Sequence, residues 1–317
     1  MELRSILNLL SDGEFHSGSD LGRTLGVSRT AVWKALGQLE ELRLPLESVK
    51  GRGYRLLRPL DLLCGKSIQS YMAAQAVENI SIEVLLSTDS TNTHLLEKQL
   101  EGNLYESCLA EYQTAGKGRR GRKWVSPFAR NIYLSIAFNL DGGAEALSGL
   151  SLVVGLSVVK TLASLGVSGV ELKWPNDVWL SGRKLAGILV ELHGEATTSW
   201  RVVVGLGLNV DMKPEDAEVI EQAWSALSEV SDIGRNELAG NLLSGLYCDL
   251  ERFKLGGFKG FLSDWNKFDA LAGKVVEINS GAIVGIARGV DLSGALLLEV
   301  DGALSAVNAG EVSVRLG

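Results

Sequence analysis

Five cations lie among three glycines in residues 113–124, which read Gln-Thr-Ala-Gly-Lys-Gly-Arg-Arg-Gly-Arg-Lys-Trp. The cations are Lys117, Arg119, Arg120, Arg122 and Lys123, in a chain whose formal net charge is -7. Glycines let backbone N–H groups approach a ligand closely, and guanidinium groups donate forked hydrogen bonds to phosphate or carboxylate. The segment therefore predicts a loop that binds a phosphorylated or acidic small molecule.

Three other interpretations compete for these residues. The glycines at 116, 118 and 121 match the dinucleotide-binding pattern, but Pro127 opposes the helix that this pattern requires. The run Gly65-Lys-Ser67 ends like a P-loop, but Leu60 stands where a glycine is needed. A basic loop that is merely solvated, or that touches nucleic acid, stays open. The interleaved glycines favour a small anion.

Three further polar clusters follow strand-like runs. Asp89-Ser-Thr-Asn92 precedes a helical stretch and can either cap it or grip a polar ligand. Lys173-Trp-Pro-Asn-Asp177 precedes Arg183-Lys-Leu-Ala-Gly187, in which Lys184 is either an edge lysine or a site lysine. Gly205-Leu-Gly-Leu-Asn209 leaves one face of a strand without side chains, which is typical of close ligand approach.

The elements that position these clusters alternate between strands and helices from about residue 80 to 270. The predicted strands are 82–86, 107–112, 132–138, 171–174, 185–191 and 200–208, with long helices near 147–165 and 236–255. This order predicts an α/β domain with a mixed sheet, whose connecting segments carry the polar clusters.

Composition narrows the class of protein. A chain of 317 residues, 46% hydrophobic, has room for two or three domains. Cys64, Cys108 and Cys248 are far apart and lack C-x-x-C spacing, so we predict no disulfide framework, no metal site and a reduced, cytoplasmic protein. The N-terminus lacks a signal-peptide layout, and the apolar stretch 147–167 is interrupted by serines and Lys160, as in a core helix.

The first 60 residues predict a DNA-binding head. They hold nine Lys/Arg and seven Asp/Glu, whereas the remainder is acidic. Apolar residues at helical spacing predict three helices, with the second starting near Ser17 and the third capped by Ser28. A hairpin with Gly51-Arg-Gly53 at its tip follows, which completes a winged helix-turn-helix. A helical protein-interaction module is the alternative.

The residues expected to contact DNA lie in the third helix and the wing. They are Ser28, Arg29, Thr30, Trp33, Lys34, Lys50, Arg52 and Arg55.

Short strands separated by tight-turn signals follow residue 271. They cover 274–278, 283–290, 295–300, 304–307 and 312–316, which predicts a small SH3-like barrel. We therefore predict an α+β chain of three parts: a winged helix-turn-helix (1–60), an α/β mixed-sheet catalytic domain (65–270) and an SH3-like C-terminal domain (271–317).

In their order along the chain, the polar clusters resemble those of the biotin protein ligases. With the winged head, nearly the whole chain resembles the bifunctional biotin ligase and biotin operon repressor type, through to the C-terminal segment Ala-Gly-Glu311-Val-Ser-Val-Arg315. One position departs from the family, whose loop reads Gly-Arg-Gly-Arg-Arg-Gly. In this chain Lys117 replaces the first arginine of that loop, a change that keeps the positive charge and loses the planar, forked guanidinium.

The resemblance implies an activity, cofactors and partners. ATP and biotin, with Mg²⁺, would give biotinyl-5'-AMP, and biotin would pass to a lysine of a biotin carboxyl carrier protein. The adenylate would also act as corepressor, promoting a homodimer that binds operator DNA to repress biotin synthesis.

The resemblance also implies residue roles. Lys184 and Arg119 would be catalytic. Biotin would contact Ser90, Thr91, Asn92, Gln113, Gly116, Lys117, Arg119, Lys184, Gly187 and Gly205. ATP or adenylate would contact Arg119, Arg120, Arg122, Trp124, Asn176, Asp177, Lys184, Asn209 and Trp224, with Trp224 stacked on adenine.

Three alternatives stay open. A lipoate or octanoate ligase shares the catalytic architecture but typically lacks the winged head and this arginine-rich loop. A ligand-sensing repressor would bind biotin or its adenylate without ligase activity, although sensing alone does not require every catalytic charge. A ligase whose head no longer binds DNA is the third.

Overall fold

The computed structural model describes residues 3–42, 44–98, 104–193, 199–279, 281–309 and 314–316. The head contains α1 (Leu3–Leu10), α2 (Gly18–Leu25), α3 (Arg29–Glu41), β1 (Leu46–Val49) and β2 (Gly53–Leu56). Ser17 accepts a hydrogen bond from Asp20 N and so caps the start of α2, and Gly26 follows the helix as its C-cap in the left-handed conformation. This is the predicted helix-turn-helix.

The wing is the antiparallel pair β1 and β2, and Tyr54 of β2 also pairs with His16. Gly53 has a φ of 109°, and a Cβ placed there would lie 2.1 Å from His16 O. Only glycine allows this approach, so the sequence of the turn tip fixes the wing against the segment before α2.

The central domain is built on a seven-stranded sheet in the order β3-β4-β5-β9-β8-β7-β6. The strands are β3 (Ile80–Leu85), β4 (Tyr105–Ala110), β5 (Ile132–Asp141), β6 (Val170–Lys173), β7 (Asp177–Leu180), β8 (Arg183–His193) and β9 (Ser199–Leu208). The β3–β4 pair is parallel and the other pairs are antiparallel, so the sheet is mixed.

Helices complete the domain. They are α4 (Gly65–Ser70), α5 (Ala74–Asn79), α6 (Thr91–Glu97), α7 (Leu150–Ser164), α8 (Arg235–Gly256) and α9 (Leu262–Trp265). The segment Ala144–Ser164 is long and apolar enough to cross a membrane, but 61% of its most apolar 18-residue stretch is buried inside the protein, where α7 packs on α8 and the sheet. Its apolar character is accounted for by the core.

The C-terminal part is a five-stranded antiparallel sheet in the order β13-β12-β11-β10-β14. The strands are β10 (Val275–Ile278), β11 (Ile283–Val290), β12 (Leu296–Val300), β13 (Ala303–Val307) and β14 (Val314–Leu316). The start of the predicted last strand, and Glu311 with it, lies outside the described residues. The indole N–H of Trp174 donates to Gly294 O at 2.9 Å and ties this sheet to the central one.

A buried ion pair joins the linker after the head to the central domain. Arg235 Nη2 lies 2.8 Å from Glu111 Oε2, with the two side chains 3% and 1% exposed. Glu111 also accepts from Leu63 N, and Arg235 donates to the carbonyl oxygen of Asn131. A lone charge at this depth would be costly, so the pair and its hydrogen bonds act together to hold the linker.

The α+β class, with a helix-turn-helix head, a central mixed sheet and a small C-terminal antiparallel sheet, is confirmed. The sequence pattern missed β7, which is four residues long, and the short helices α4, α5 and α9. Elements this short carry too few residues for hydrophobic periodicity to show.

Candidate active site

A cavity opens on one face of the central sheet, between the strands β5, β8 and β9, the start of α6 and the cationic loop. Its walls are formed by Ser90, Thr91, Asn92, Gln113, Lys117, Gly118, Arg119, Trp124, Tyr133, Leu134, Asn176, Lys184, Gly187, Ile188, Leu189, Gly205, Leu206 and Gly207. Residues from six separate segments of the chain therefore meet there, although they are far apart in the sequence.

Glycines form the floor of this cavity. Gly187 of β8 pairs directly with Gly207 of β9, and Gly205 lies two residues away on the same face. A Cβ at Gly205 would lie 2.3 Å from Asn92 Oδ1, and one at Gly207 would lie 2.3 Å from Trp124 Cε2. The missing side chains thus give room to the Asn92 amide and the Trp124 indole.

Polar groups line the end of the cavity near α6. Gln113 Oε1 accepts from Thr91 N at 2.9 Å, and Gln113 Nε2 donates to Ser126 Oγ at 3.1 Å. Ser90 is 2% exposed and also lines the cavity. Hydroxyl and amide groups held this way can bind a small polar head group whose shape and hydrogen-bonding pattern match them.

A lysine and a carboxylate face each other at the other end. Lys184 Nζ lies 2.7 Å from Asp177 Oδ1 and 5.6 Å from the centre of the Trp124 ring. The lysine side chain is 20% exposed, and its Cε packs near Gly187. Lys184 therefore lines the cavity with its ammonium held by Asp177, and its side chain does not extend into bulk solvent.

Arg119 stands between the cavity and the C-terminal sheet. Its guanidinium donates to Asn176 Oδ1 at 3.0 Å and to Ala309 O. Burial lowers the pKa of Arg119, while the nearby Asp177 carboxylate acts in the opposite direction. The guanidinium stays charged at neutral pH, because an arginine pKa starts above 12.

The rest of the cationic loop is a tight hairpin. Gly118 N donates to Arg122 O at 2.7 Å, and Trp124 N donates to Gly116 O at 2.9 Å. A Cβ at Gly116 would lie 2.5 Å from Trp124 O, so this glycine is required by the hairpin itself. Arg120 and Arg122 are exposed on its outer side, away from the cavity walls.

Three predicted nucleotide contacts, Asp177, Asn209 and Trp224, lie beside the cavity and not in its wall. Asn209 is 4% exposed, and its side-chain amide donates to Ser225 O at 3.1 Å and to Lys184 O at 3.4 Å. Trp224 is half-buried, packs on the cluster around Met212, and pairs with Lys184 through the backbone. Asn209 and Trp224 both hold the strand that carries Lys184.

The predicted DNA-contacting residues lie on the head. Ser28 caps α3, since its Oγ accepts from Ala31 N at 3.2 Å. Arg29, Thr30, Lys34, Lys50 and Arg52 are exposed, and Trp33 is 68% exposed. Arg55 differs, because it is half-buried and pairs with Glu47 at 2.6 Å, whereas the guanidinium groups of Arg52 and Arg55 both lie over the ring of Phe15.

Sequence reasoning missed Glu191 and Ser135, which contact Asn92 at the polar end of the cavity. Glu191 is four residues beyond Gly187 in an otherwise apolar strand, and this spacing could have placed it on the cavity face. Ser135 faces Gly205 only through strand register, which the sequence does not reveal.

Among the described residues, no group of three or more His, Cys, Asp or Glu side chains could hold a metal ion. Two carboxylates lie just outside the cavity wall: Asp177 pairs with Lys184, and Glu191 contacts Lys117 and Asn92. The fold and the site are therefore those expected of an enzyme whose cavity has a polar end and a cationic end, joined to a winged helix-turn-helix head.

Comparisons with known proteins agree with this description. Residues 84–209 match the biotin/lipoate A/B protein ligase family, residues 2–55 an HTH domain and residues 273–315 the biotin protein ligase C terminal domain. The bifunctional ligase/repressors BirA of Salmonella typhimurium strain LT2 and Escherichia coli strain K12 are each 43% identical to this chain. The alignments cover 98% of this chain and 97% and 96% of those proteins.

A solved structure also matches. The biotin protein ligase from Aquifex aeolicus in complex with biotin and ATP has a TM-score of 0.64 and 29% identity, over 75% of this chain and 99% of that one. The chain belongs to the family of bifunctional biotin ligase/repressors.

Proposed function

We propose that the chain activates biotin with ATP and transfers it to a lysine of a biotin carboxyl carrier protein. The observation that carries this proposal is the placement of Lys184 and Arg119 at one end of a cavity whose other end is lined by hydroxyl and amide groups. Biotin has a matching form, with a ureido group at one end and a carboxylate at the other.

In the first step, a carboxylate oxygen of biotin attacks the α-phosphorus of ATP. The bond from that phosphorus to the bridging oxygen breaks, and pyrophosphate leaves with both electrons. Two anions must approach each other, so fixed cations stabilise the transition state more than any other group. Lys184 and Arg119 supply this charge, and their packing keeps it in place before the substrates arrive.

In the second step, the neutral amine of the acceptor lysine attacks the acyl carbon of biotinyl-5'-AMP. An amide bond forms, AMP leaves, and the amine loses one proton. Lys184 and Arg119 stabilise the departing phosphate in this step as well.

Biotin's ureido group belongs at the end formed by Ser90, Thr91 and Gln113, with Gly187 as part of the floor. ATP belongs on the side of Arg119, Asn176 and Asp177, and Arg120 and Arg122 would bind its phosphates by a movement of the hairpin. Since the described residues offer no metal-binding cluster of their own, Mg²⁺ would enter on the ATP phosphates.

We infer the regulatory half from the head. Residues 1–60 would bind operator DNA, residues 65–270 would form the catalytic domain, and residues 271–317 would close one side of the active site. Biotinyl-5'-AMP would act as corepressor by promoting a homodimer that presents two heads to a two-fold operator. Sedimentation with and without biotinyl-5'-AMP tests this, and an unchanged mass would contradict it.

The ligase proposal is tested with a purified carrier domain, biotin, ATP and Mg²⁺, and intact-protein mass as the readout. We expect the wild type to add one biotinyl group and Lys184→Ala to add none in the same time. Lys259→Ala, an exposed lysine distant from the cavity, is the matched control and should behave as wild type. A carrier that stays unmodified with wild-type protein would refute the proposal.

A further inference from the structure

Glu191 lies behind the polar end of the cavity, where it contacts the wall residue Asn92. Asn92 Nδ2 donates to Glu191 Oε2 at 2.7 Å, and the Asn92 side chain fills the space above Gly205. Asn92 is 3% exposed, and its nitrogen also lies 3.4 Å from Leu189 O, a second acceptor on the strand that carries Glu191. A carboxylate only accepts hydrogen bonds, so the Asn92 nitrogen must face Glu191 and the Asn92 oxygen must face away.

The orientation of the Asn92 amide determines which hydroxyl donates and which accepts in the neighbouring Ser135 and Thr91. Ser135 Oγ lies 2.5 Å from Asn92 Oδ1 and 2.7 Å from Thr91 Oγ1. Ser135 has one hydrogen, and the Asn92 oxygen has none to give, so the Ser135 hydrogen goes to Asn92. The Thr91 hydrogen then goes to Ser135 Oγ or to Gln113 Oε1, which lies 3.2 Å from Thr91 Oγ1, so Thr91 presents only lone pairs to the cavity.

We propose that Glu191 is a positioning residue that fixes the hydrogen-bond direction of this Asn92–Ser135–Thr91 chain and so selects a ligand that donates N–H to Thr91. A cyclic urea supplies such an N–H group. The inference rests on the proposed function, since it assigns the ureido end of biotin to this part of the cavity.

Glu191→Gln keeps the size of the side chain but no longer fixes which way the hydrogen bonds of the Asn92–Ser135–Thr91 chain point. A glutamine amide can donate or accept, so the Asn92 amide can turn over, and Thr91 can then present its hydrogen to the ligand. We expect Glu191→Gln to raise the KM for biotin about tenfold with little change in kcat, since about one hydrogen bond to the ligand is lost.

Adding Asn92→Asp to Glu191→Gln should restore the original donor–acceptor order of the hydrogen-bond chain. In Asn92→Asp with Glu191→Gln, one oxygen of the carboxylate introduced at position 92 accepts from the glutamine amide, and the other still accepts from Ser135. The double variant should therefore recover most of the biotin affinity that each single variant loses. A role in packing alone predicts additive losses instead.

Glu191 Oε1 also lies 3.6 Å from Lys117 Nζ, in a pair whose side chains are 27% and 42% exposed. An ion pair this exposed weakens with salt, whereas the direction of a buried hydrogen-bond chain does not. The ratio of KM values between Glu191→Gln and wild type should thus be the same at low and high salt. A ratio that collapses at high salt would assign the effect to Lys117 and overturn the proposal.

The experiment measures kcat and KM for biotin-dependent adenylate formation in the wild type, Glu191→Gln, Asn92→Asp and the double variant. Glu299→Gln is the control, because Glu299 is 31% exposed and paired with Arg288, far from the cavity. Wild-type KM values in Glu191→Gln, or additive losses in the double variant, would overturn the inference alone. Wild-type protein that does not use biotin would instead refute the proposed function.

Discussion

Asp177 Oδ1 lies 2.7 Å from the ammonium of Lys184, whose side chain is 20% exposed in the cavity wall. The pair joins the start of β7 to β8, so the position of the lysine is set by strand pairing as well as by charge. A lysine held this way gives up little freedom when an anion binds, which is what adenylation requires of it.

The first prediction concerns that lysine. Lys184→Ala should lower the rate of adenylate formation by about 10²–10³-fold, because one fixed cation is lost from the transition state. Lys184→Arg should not recover the rate, because a longer, planar guanidinium cannot keep the position that the ammonium holds 2.7 Å from Asp177 Oδ1. Rapid-quench measurement of labelled biotinyl-5'-AMP checks both, and an alanine variant within a few-fold of wild type would contradict the role.

The second prediction concerns stability next to the site. Asn209→Ala should lower the free energy of unfolding by about 1–3 kcal/mol, because the carbonyl oxygens of Ser225 and Lys184 lose a buried donor. Urea denaturation followed by tryptophan fluorescence measures it.

Asn241→Ala is the control for Asn209→Ala. Its side-chain amide donates to Glu237 O on a half-buried helix face, so its loss should cost far less. Equal losses in the two variants would show that the Asn209 hydrogen bonds add nothing to stability.

Much of this arrangement could be predicted from the sequence, because the cationic loop, Lys184 and the alternating glycines are local signals. The pairing of residues across the sheet could not be predicted from the sequence. Only register shows that Asn92 and Trp124 fill the spaces above Gly205 and Gly207. These contacts join residues about 80 to 110 positions apart, where no sequence period applies.

The third prediction concerns thiol reactivity. Burial raises the pKa of the Cys108 thiol to about 12, whereas Cys64 and Cys248 are exposed. Because thiolate is the reactive form and its fraction falls as the pKa rises, Cys108 should be inert at about pH 8. A chromogenic disulfide reagent should titrate two thiols in the native protein and three in denaturant. Three fast thiols in the native protein would contradict the burial of Cys108.

The fourth prediction concerns the wing. Lys50 is exposed beside the turn tip, so Lys50→Ala should weaken binding to duplex DNA and reduce the log–log salt slope by about 0.9. Fluorescence anisotropy with a labelled duplex over a salt series gives the slope. Lys259→Ala serves as the matched loss of charge, and an identical slope for both variants would remove Lys50 from the DNA interface.

The most direct test of the central claim is ATP–pyrophosphate exchange, measured with Mg²⁺ and either biotin, lipoate or octanoate. Exchange that depends on biotin alone is the result we predict, because it requires reversible attack of the biotin carboxylate on the α-phosphorus. Exchange with lipoate or octanoate but not biotin would make the chain a different acyl ligase. No exchange with biotin, despite tight binding of biotinyl-5'-AMP, would reduce it to a ligand-sensing repressor and contradict the assignment of Lys184 and Arg119 to catalysis.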